Sequence, residues 1–352
     1  MNPSVNIGNR WVGTGHDPFI VAEVGINHNG SLPFAFEMIH VAKSAGCDAV
    51  KFQTFKAAEF VNDSSQMFTY QSQGKEITES MYEMFQRYEL PEYAWSEIKE
   101  ECDRAGILFL STPQNEGDLE ILLSVGLSAI KVGSDDFTNL PLLRKFSQSG
   151  LPMILSCGMS SLSEVNDALE AIGALDGYPT ILLVCTSQYP TPREDVNLSR
   201  LTTLKNAFSM VPIGFSDHTE GPLASSVATG LGAVFFEKHF TLDRSLPGPD
   251  HWFSEDPEGL RNWVQTIRDS YEVCGDSIVR PTQVELKNKN EYQRRLVAAN
   301  RIERDQLIES SDVALRRVSG GRGLLPKFLD SILGRPSPRT FDEGEPIDFW
   351  ER

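Results

Sequence analysis

Eight short apolar runs, each closed by a polar or glycine break and mostly followed by a stretch with helical spacing, limit what this chain can fold into. They are FIVAEVG (19–25), AVKFQTF (49–55), ILFLSTP (107–113), AIKVGS (129–134), MILSCG (153–158), TILLVCTS (180–187), IGFSDHT (213–219) and AVFFEKHFT (233–241). Near-continuous apolar strands are buried on both faces, the habit of parallel sheets covered by helices. The stretches between them include LPFAFEMIHVAKSAG, PEYAWSEIKEECDRAG, SLSEVNDALEAIGAL and GPLASSVATGLG, and several close on the Gly expected just beyond a helix C-terminus. A count of eight favours an α/β closed barrel, the (β/α)8 or TIM barrel, over an open doubly wound sheet. The longest connection, residues 56–90, is expected to be a loop with some local helix over the barrel mouth.

Such a barrel takes about 250 residues, and the chain has 352, so a smaller piece is appended to it. After residue 292 the texture changes to RRLVAAN, VALRRV, LLPKFLDSILG and EPIDFW, separated by Gly, Pro and acidic turns, which reads as a small α+β or β-rich module. The expected division is a barrel over 1–275, a linker over 276–292 and the module over 293–352. Charge supports a boundary there. Residues 291–352 balance 11 Lys and Arg against 11 Asp and Glu, which leaves 21 against 38 in the first 290 and places the whole net charge of −17 in them. That acidity argues against nucleic acid as a partner. Five scattered cysteines without a CxxC form neither a disulfide framework nor a zinc site and are expected to be reduced. The start lacks a signal-like apolar run and no stretch approaches the roughly 20 apolar residues that cross a bilayer, so a cytoplasmic protein with no membrane partner is expected.

In a (β/α)8 barrel the reacting groups collect at the C-terminal strand ends. Here those ends are polar all the way round: Glu23; Lys51 and Gln53; Ser111 and Thr112; Lys131 and Ser134; Ser156; Thr186, Ser187 and Tyr189; Ser216, Asp217 and His218; Glu237, Lys238 and His239. One polar end is ordinary, because strands exit into water. Eight in a row point to a site. Residues two apart share a face, so Lys51 goes with Gln53, Ser216 with His218 and Glu237 with His239, and each pair should point into the mouth, away from the apolar helices. A lone barrel histidine is more often structural, but His218 and His239 on neighbouring strand ends, with Asp217 and Glu237 beside them, suit a shared divalent metal. Two protein nitrogens leave positions open, which fits a labile Mn²⁺ or Mg²⁺ acting on a carbonyl oxygen better than structural zinc. Lys51 and Lys131 are costly inside an acidic barrel unless Glu23, Asp136 or a bound anion neutralises them. The hydroxyls of Ser134, Ser156 and Ser216 around the same mouth favour a phosphate. No GxxxxGK[ST] or GxGxxG follows a strand, so no nucleotide cofactor is expected. The residues thus describe a metal-assisted enzyme for a small phosphorylated, carbonyl-containing substrate.

The blocks AEVGINHNG, VKFQTF, YPTP, IGFSDHT, EKHFT and PGPDH, in that order, resemble those of the sialic acid synthase family, the phosphoenolpyruvate-dependent nonulosonate synthases. The resemblance covers essentially the whole chain and implies a barrel followed by a C-terminal antifreeze-like (SAF, β-clip type) domain. It implies condensation of phosphoenolpyruvate, water and an N-acylated hexose, N-acetylmannosamine first, to give N-acetylneuraminate and phosphate by C–O cleavage. Legionaminate or pseudaminate synthesis is the same reaction on another sugar, and LPGPDH is closer to the sialate and legionaminate branches; an inactive sugar- or phosphate-binding barrel is the remaining alternative. By this resemblance His218 and His239 bind Mn²⁺ or Mg²⁺, and Lys131, Ser134, Ser156, Ser187 and Ser216, with Lys51, hold phosphoenolpyruvate. Glu23, Lys51, Gln53, Thr112 and Tyr189 form the catalytic set, while Asp136, Asp250 and Arg317 contact the sugar. Arg317, or its neighbour Arg316, would reach across a homodimer whose terminal domains sit over the partner barrels. The chain departs from the family pattern in Asp136 for Glu, Ser187 for Asn, and Val318-Ser319 for Pro-Gly.

Overall fold

The computed structural model describes residues 3–348, so Phe349 and Trp350 of EPIDFW lie outside the described residues. The chain divides into two compact units that meet between Gly275 and Asp276. The first is a closed barrel of eight parallel strands in sequential order. They are β1 (Phe19–Gly25), β2 (Ala49–Thr54), β3 (Leu108–Pro113), β4 (Ile130–Val132), β5 (Met153–Ser156), β6 (Thr180–Val184), β7 (Ile213–Asp217) and β8 (Phe235–His239). The main helices after them are α1 (Leu32–Ala45), α2 (Tyr93–Ala105), α3 (Glu116–Val125), α4 (Leu140–Ser147), α5 (Leu162–Ala171), α6 (Ser199–Ala207), α7 (Leu223–Gly230) and α8 (Pro257–Cys274). Their ends carry the expected chemistry. Ser31 accepts from the Phe34 amide to cap α1, whose far end stops at Gly46 in the left-handed region, and Ser161 with Glu164 forms a capping box on α5.

Strand alternation sorts the barrel into layers. Outward-facing Ile20, Ala22, Val24, Val50, Phe52 and Phe236 join the main core under the helices. Inward-facing Phe19, Val21, Ala49, Leu110, Ile154, Leu183 and Phe235 fill the lower barrel, where the rings of Phe19 and Phe235 stack 5.3 Å apart. Gly214 belongs to this interior, because a Cβ there would lie 2.5 Å from the Phe235 carbonyl oxygen. An antiparallel hairpin, Ser4–Ile7 with Arg10–Gly13, adds Val5, Ile7 and Val12 to the same cluster. The next inward layer up is polar: Glu23, Lys51, Thr112, Lys131, Ser156, Ser216 and Glu237 are all buried.

The connection over 56–90 is more ordered than a loop. Between short helices Ala57–Phe60 and Met81–Tyr88 it forms an antiparallel hairpin, Met67–Ser72 with Lys75–Ser80. Gln73 and Gly74 both have positive φ (52° and 72°), as a two-residue type I′ turn requires. Its alternating polar residues disguised it as loop.

The second unit contains α9 (Gln283–Tyr292), so the stretch expected as a linker is partly helical and groups with the module. An antiparallel pair follows, β9 (Arg294–Ala298) and β10 (Val313–Arg317). Isolated bridges join Val297 to Pro346, Ile302 to Phe341 and Leu307 to Pro336, around a small core of Leu296, Ala298, Ile302, Ile308, Ile332, Phe341 and Ile347. Among the described residues no helix is long and apolar enough to cross a membrane.

Candidate active site

The polar layer and the loops above it enclose a chamber of about 400 Å³. Twelve of the expected site residues line it: Glu23, Lys51, Gln53, Thr112, Lys131, Ser134, Ser156, Ser187, Tyr189, Ser216, His218 and His239. At its floor Lys51 Nζ lies 2.7 Å from Glu23 and 3.7 Å from Glu237, and Lys131 Nζ lies 3.6 Å from Glu237. Lys51 also donates to Thr112 Oγ1 (3.2 Å), Lys131 to Ser156 Oγ (2.8 Å) and Ser216 to Glu237 Oε1 (3.0 Å). Burial pushes the Lys131 ammonium down, whereas Lys51 rises despite burial because Glu23 and Glu237 hold its proton. Burial raises the Glu23 carboxyl, Lys51 opposing it. Burial acts on Glu237 in the same direction but is outweighed by Lys131 and Lys51, which keep that carboxylate ionised.

Glu237 is therefore the counter-charge shared by both lysines, a role the sequence reading did not give it. Cys185 was also missed. It follows Ile181 and Leu183 on the inward face of β6 and lines the chamber, yet in TILLVCTS it passes for one more apolar residue. A close approach is built in at Gly158, whose amide donates to Ser134 Oγ (3.0 Å) and whose Cβ, if present, would sit 2.5 Å from Ser187 Oγ.

The rings of His218 and His239 are 5.7 Å apart. His218 Nδ1 donates to the Thr186 carbonyl (2.7 Å), which leaves Nε2 with a free lone pair 3.4 Å from Ser216 Oγ. Burial opposes charge on His218, but Cys185 and the Thr186 carbonyl move its pKa upward overall. Burial, then His218, pushes His239 well below the usual range, and its Nδ1 is buried without a hydrogen-bond partner. An orphaned imidazole nitrogen beside a second imidazole with a free lone pair is a donor set that fits a divalent metal. Among the described residues no group of three or more His, Cys, Asp and Glu is placed to hold one metal ion. Asp217 does not join the two histidines. It faces outward and takes bonds from Thr219 and Ser225 and an ion pair from Lys238 at 3.3 Å.

Above His239 the space widens into an outer chamber of about 560 Å³, which shares Gln53, Phe68, Ser187, Tyr189 and His239 with the inner one. Its walls are Tyr70, Gln71 and Glu76 of the hairpin and Asp250, Trp252 and Phe253 of the loop after β8. Asp250 Oδ2 stands 3.9 Å from His239 Nδ1, and burial with Glu23 nearby lifts its carboxyl to about 7. Asp136 lies outside both linings, bonded to Asn139 at the start of α4, and Asp135 lines the inner chamber instead. Arg317 is on β10 of the second unit, exposed, its guanidinium 5.7 Å from the Tyr292 ring centre.

Two fully buried histidines brace the loops that form the rim. His28 Nδ1 accepts from the Gly30 amide (3.0 Å), and His251 reaches Thr241 Oγ1 (2.7 Å) and Asn29 Oδ1 (3.1 Å). Burial holds both at about 4, His28 also through His251, against an ordinary 6.5. Below pH 6.5 the unfolded chain takes up protons that the folded one refuses, so stability is full above that value and drains as pH falls toward 4. At pH 5 each histidine should cost about 2 kcal/mol. In urea titrations the stability lost between pH 7.5 and 5 is expected to be about 2 kcal/mol smaller in His28→Asn than in the wild type; an equal loss would mean that His28 is not held neutral.

Comparison with known proteins identifies the family. The family model described as the NeuB family matches residues 38–279. An N,N'-diacetyllegionaminic acid synthase of Legionella pneumophila is 38% identical over 338 residues, 95% of this chain and 94% of that protein. The human N-acetylneuraminate-9-phosphate synthase is 31% identical over 340 residues, 96% of this chain and 93% of that protein. A crystal structure of the N-acetylneuraminic acid (sialic acid) synthetase of Leptospira borgpetersenii in complex with citrate superposes with a TM-score of 0.74 at 32% identity, covering 83% of this chain and 98% of that one. With two thirds of its length matched by the family model and relatives aligned along nearly all of it, this chain belongs to the NeuB family.

Proposed function

We propose that the protein is a phosphoenolpyruvate-dependent nonulosonate synthase that joins phosphoenolpyruvate, water and an N-acylated hexose. The observation that carries this reading is the pair of buried lysines at the chamber floor, with the hydroxyls of Thr112, Ser156 and Ser216 around them. Two ammonium groups counter-charged by Glu23 and Glu237, with hydroxyl donors beside them, are the groups that bind a phosphate and a carboxylate. In the reaction, carbon 3 of phosphoenolpyruvate bonds to the sugar aldehyde carbon, a water oxygen adds to carbon 2, and the C2–O bond breaks to expel inorganic phosphate. The aldehyde oxygen gains a proton and the added water gives up its own, leaving a ketone. Glu23, its oxygen 3.1 Å from Gln53 Nε2, and Asp250, poised near neutrality, are the groups able to hold those protons. A Mn²⁺ or Mg²⁺ held by His218 and His239 would supply Lewis-acid polarisation of the aldehyde. Tyr189, its ring 4.1 Å from that of His218, walls the passage between the two chambers.

The inner chamber suits phosphoenolpyruvate and the outer one the hexose. N-acetylmannosamine, giving N-acetylneuraminate, is the first acceptor; a hexose with two acylamino groups, giving legionaminate, is the second, favoured by the aromatic walls Phe68, Trp252 and Phe253. Incubation with phosphoenolpyruvate, Mn²⁺ and a panel of such hexoses is expected to release phosphate with one of the two. Release with none of the panel would sink the reading, and binding without release would leave a sugar-binding barrel.

The second unit is read as an antiparallel, bridge-linked SAF domain that works from a partner subunit. Exposed apolar side chains crowd this part of the chain, with Ile278, Val279, Val284, Leu286 and Tyr292 all more than 40% exposed, as expected of a surface covered in a homodimer. A cytoplasmic location fits five free cysteines, of which four are buried, and fractionation would test it.

A further inference from the structure

The strands of the second unit set arginine against arginine. Arg295 lies opposite Arg316 and Arg294 opposite Arg317 in the β9–β10 pairing. Directly opposed like charges weaken a strand pair. Alternation separates the pairs. Arg294 and Arg317 emerge on one face, Arg295 and Arg316 on the other.

The second face has the unusual feature. Arg295 is only 8% exposed, and its Nε is buried with no hydrogen-bond partner among the described residues. The ion pairs recorded in this unit use Arg280, Arg301, Arg304 and Arg339 instead. A buried guanidinium without a carboxylate is expensive, and replacing it with an apolar residue would be the cheaper solution if packing were its only task. The turn after β10 comes close to it. Arg295 Nη2 lies 3.2 Å from where a Cβ of Gly321 would be, the Asn290 carbonyl oxygen lies nearer still at 2.7 Å, and Gly320 and Gly321 both adopt positive φ (70° and 64°) in the turn that continues to Arg322. Any side chain at Gly321 would meet that carbonyl and crowd the guanidinium. The Gly321 amide already donates to the Val318 carbonyl (3.1 Å), so the anion contacts fall to the arginines.

We propose that Arg295 and Arg316, beside the Gly320–Gly321 turn, form an oxyanion site in the second unit, distinct from the lysine-lined chamber of the barrel and from Arg317. It takes a phosphate or a carboxylate through charge-assisted, fork-shaped contacts. The barrel reading predicts that both groups occur in the reaction's products, but the site stands on the arginines alone.

The test is isothermal titration of the full-length protein, with inorganic phosphate in one arm and N-acetylneuraminate in the other. The wild type is expected to bind one anion more than Arg295→Gln, and the same site should weaken at least about tenfold in Arg316→Gln. Arg316 is exposed, so this second variant is safe should Arg295→Gln fail to fold. Lys131→Met, altered only in the barrel chamber, should keep the site, so failure of the barrel reading and failure of this one are told apart. Loss with phosphate alone identifies phosphate as the occupant, and loss with the sugar acid alone identifies its carboxylate. Equal stoichiometry and affinity in the wild type, Arg295→Gln and Arg316→Gln for both anions would overturn the proposal.

Discussion

Lys51→Met is expected to lower turnover by about 10²–10³-fold and to destabilise the protein by about 3–5 kcal/mol. The two losses have one origin. Lys51 is the nearest cation to Glu23, at 2.7 Å, and shares Glu237 with Lys131. Its removal takes a donor from the anion at the floor and leaves a buried carboxylate without a partner. Lys131→Met should separate the effects. Burial already pushes the Lys131 ammonium toward its neutral form, so its loss should impair turnover comparably while costing less stability. Initial rates of phosphate release together with urea midpoints measure both. Equal stability losses in the two variants would mean that the charges are not coupled in this way.

The second large effect tests the proposal that the site is shared between the subunits of a homodimer. On that proposal His239→Ala and Arg317→Ala are each expected to be inactive or nearly so, the first for want of its proposed metal ligand and the second for want of the proposed contact across the dimer. Mixing the two should restore about a quarter of wild-type activity, because half of a random mixture is hybrid and each hybrid has one intact barrel with an intact partner arginine. Full subunit exchange without recovered activity would show that Arg317 does not act across the dimer.

How much of this was legible depended on alternation. FIVAEVG became a strand over the same seven residues, and AVKFQTF lost only its last one, because their outward residues had to be apolar while the inward ones could change character with height. The same rule brought Lys51 with Gln53 and Glu237 with His239 into one chamber. The expectation for Asp136 came from the family resemblance and not from alternation; Asp136 lies outside the chamber, whereas Asp135, four residues on from inward Lys131 and so on its face, lines it. Alternation failed for the hairpin over 67–80, since its faces differ little in polarity and half-exposed Phe68 and Tyr70 are too sparse to announce a strand. Partner choice inside the polar layer was not legible at all. Whether Glu237 serves a metal or two lysines depends on distances between strands remote in sequence.

The barrel interior has a further consequence. Packed Phe19, Phe235 and their neighbours stop the space from below, while the hairpin and the loop after β8 crowd it from above. The two chambers therefore share one closed floor, and neither runs through the barrel. Exposed Met159 lines the inner chamber and not the outer one, so the inner chamber has a rim of its own. A molecule resting at the lysine floor has a single direction of travel, back toward the C-terminal strand ends by which it came, and the apolar plug beneath it is what makes the site one-sided.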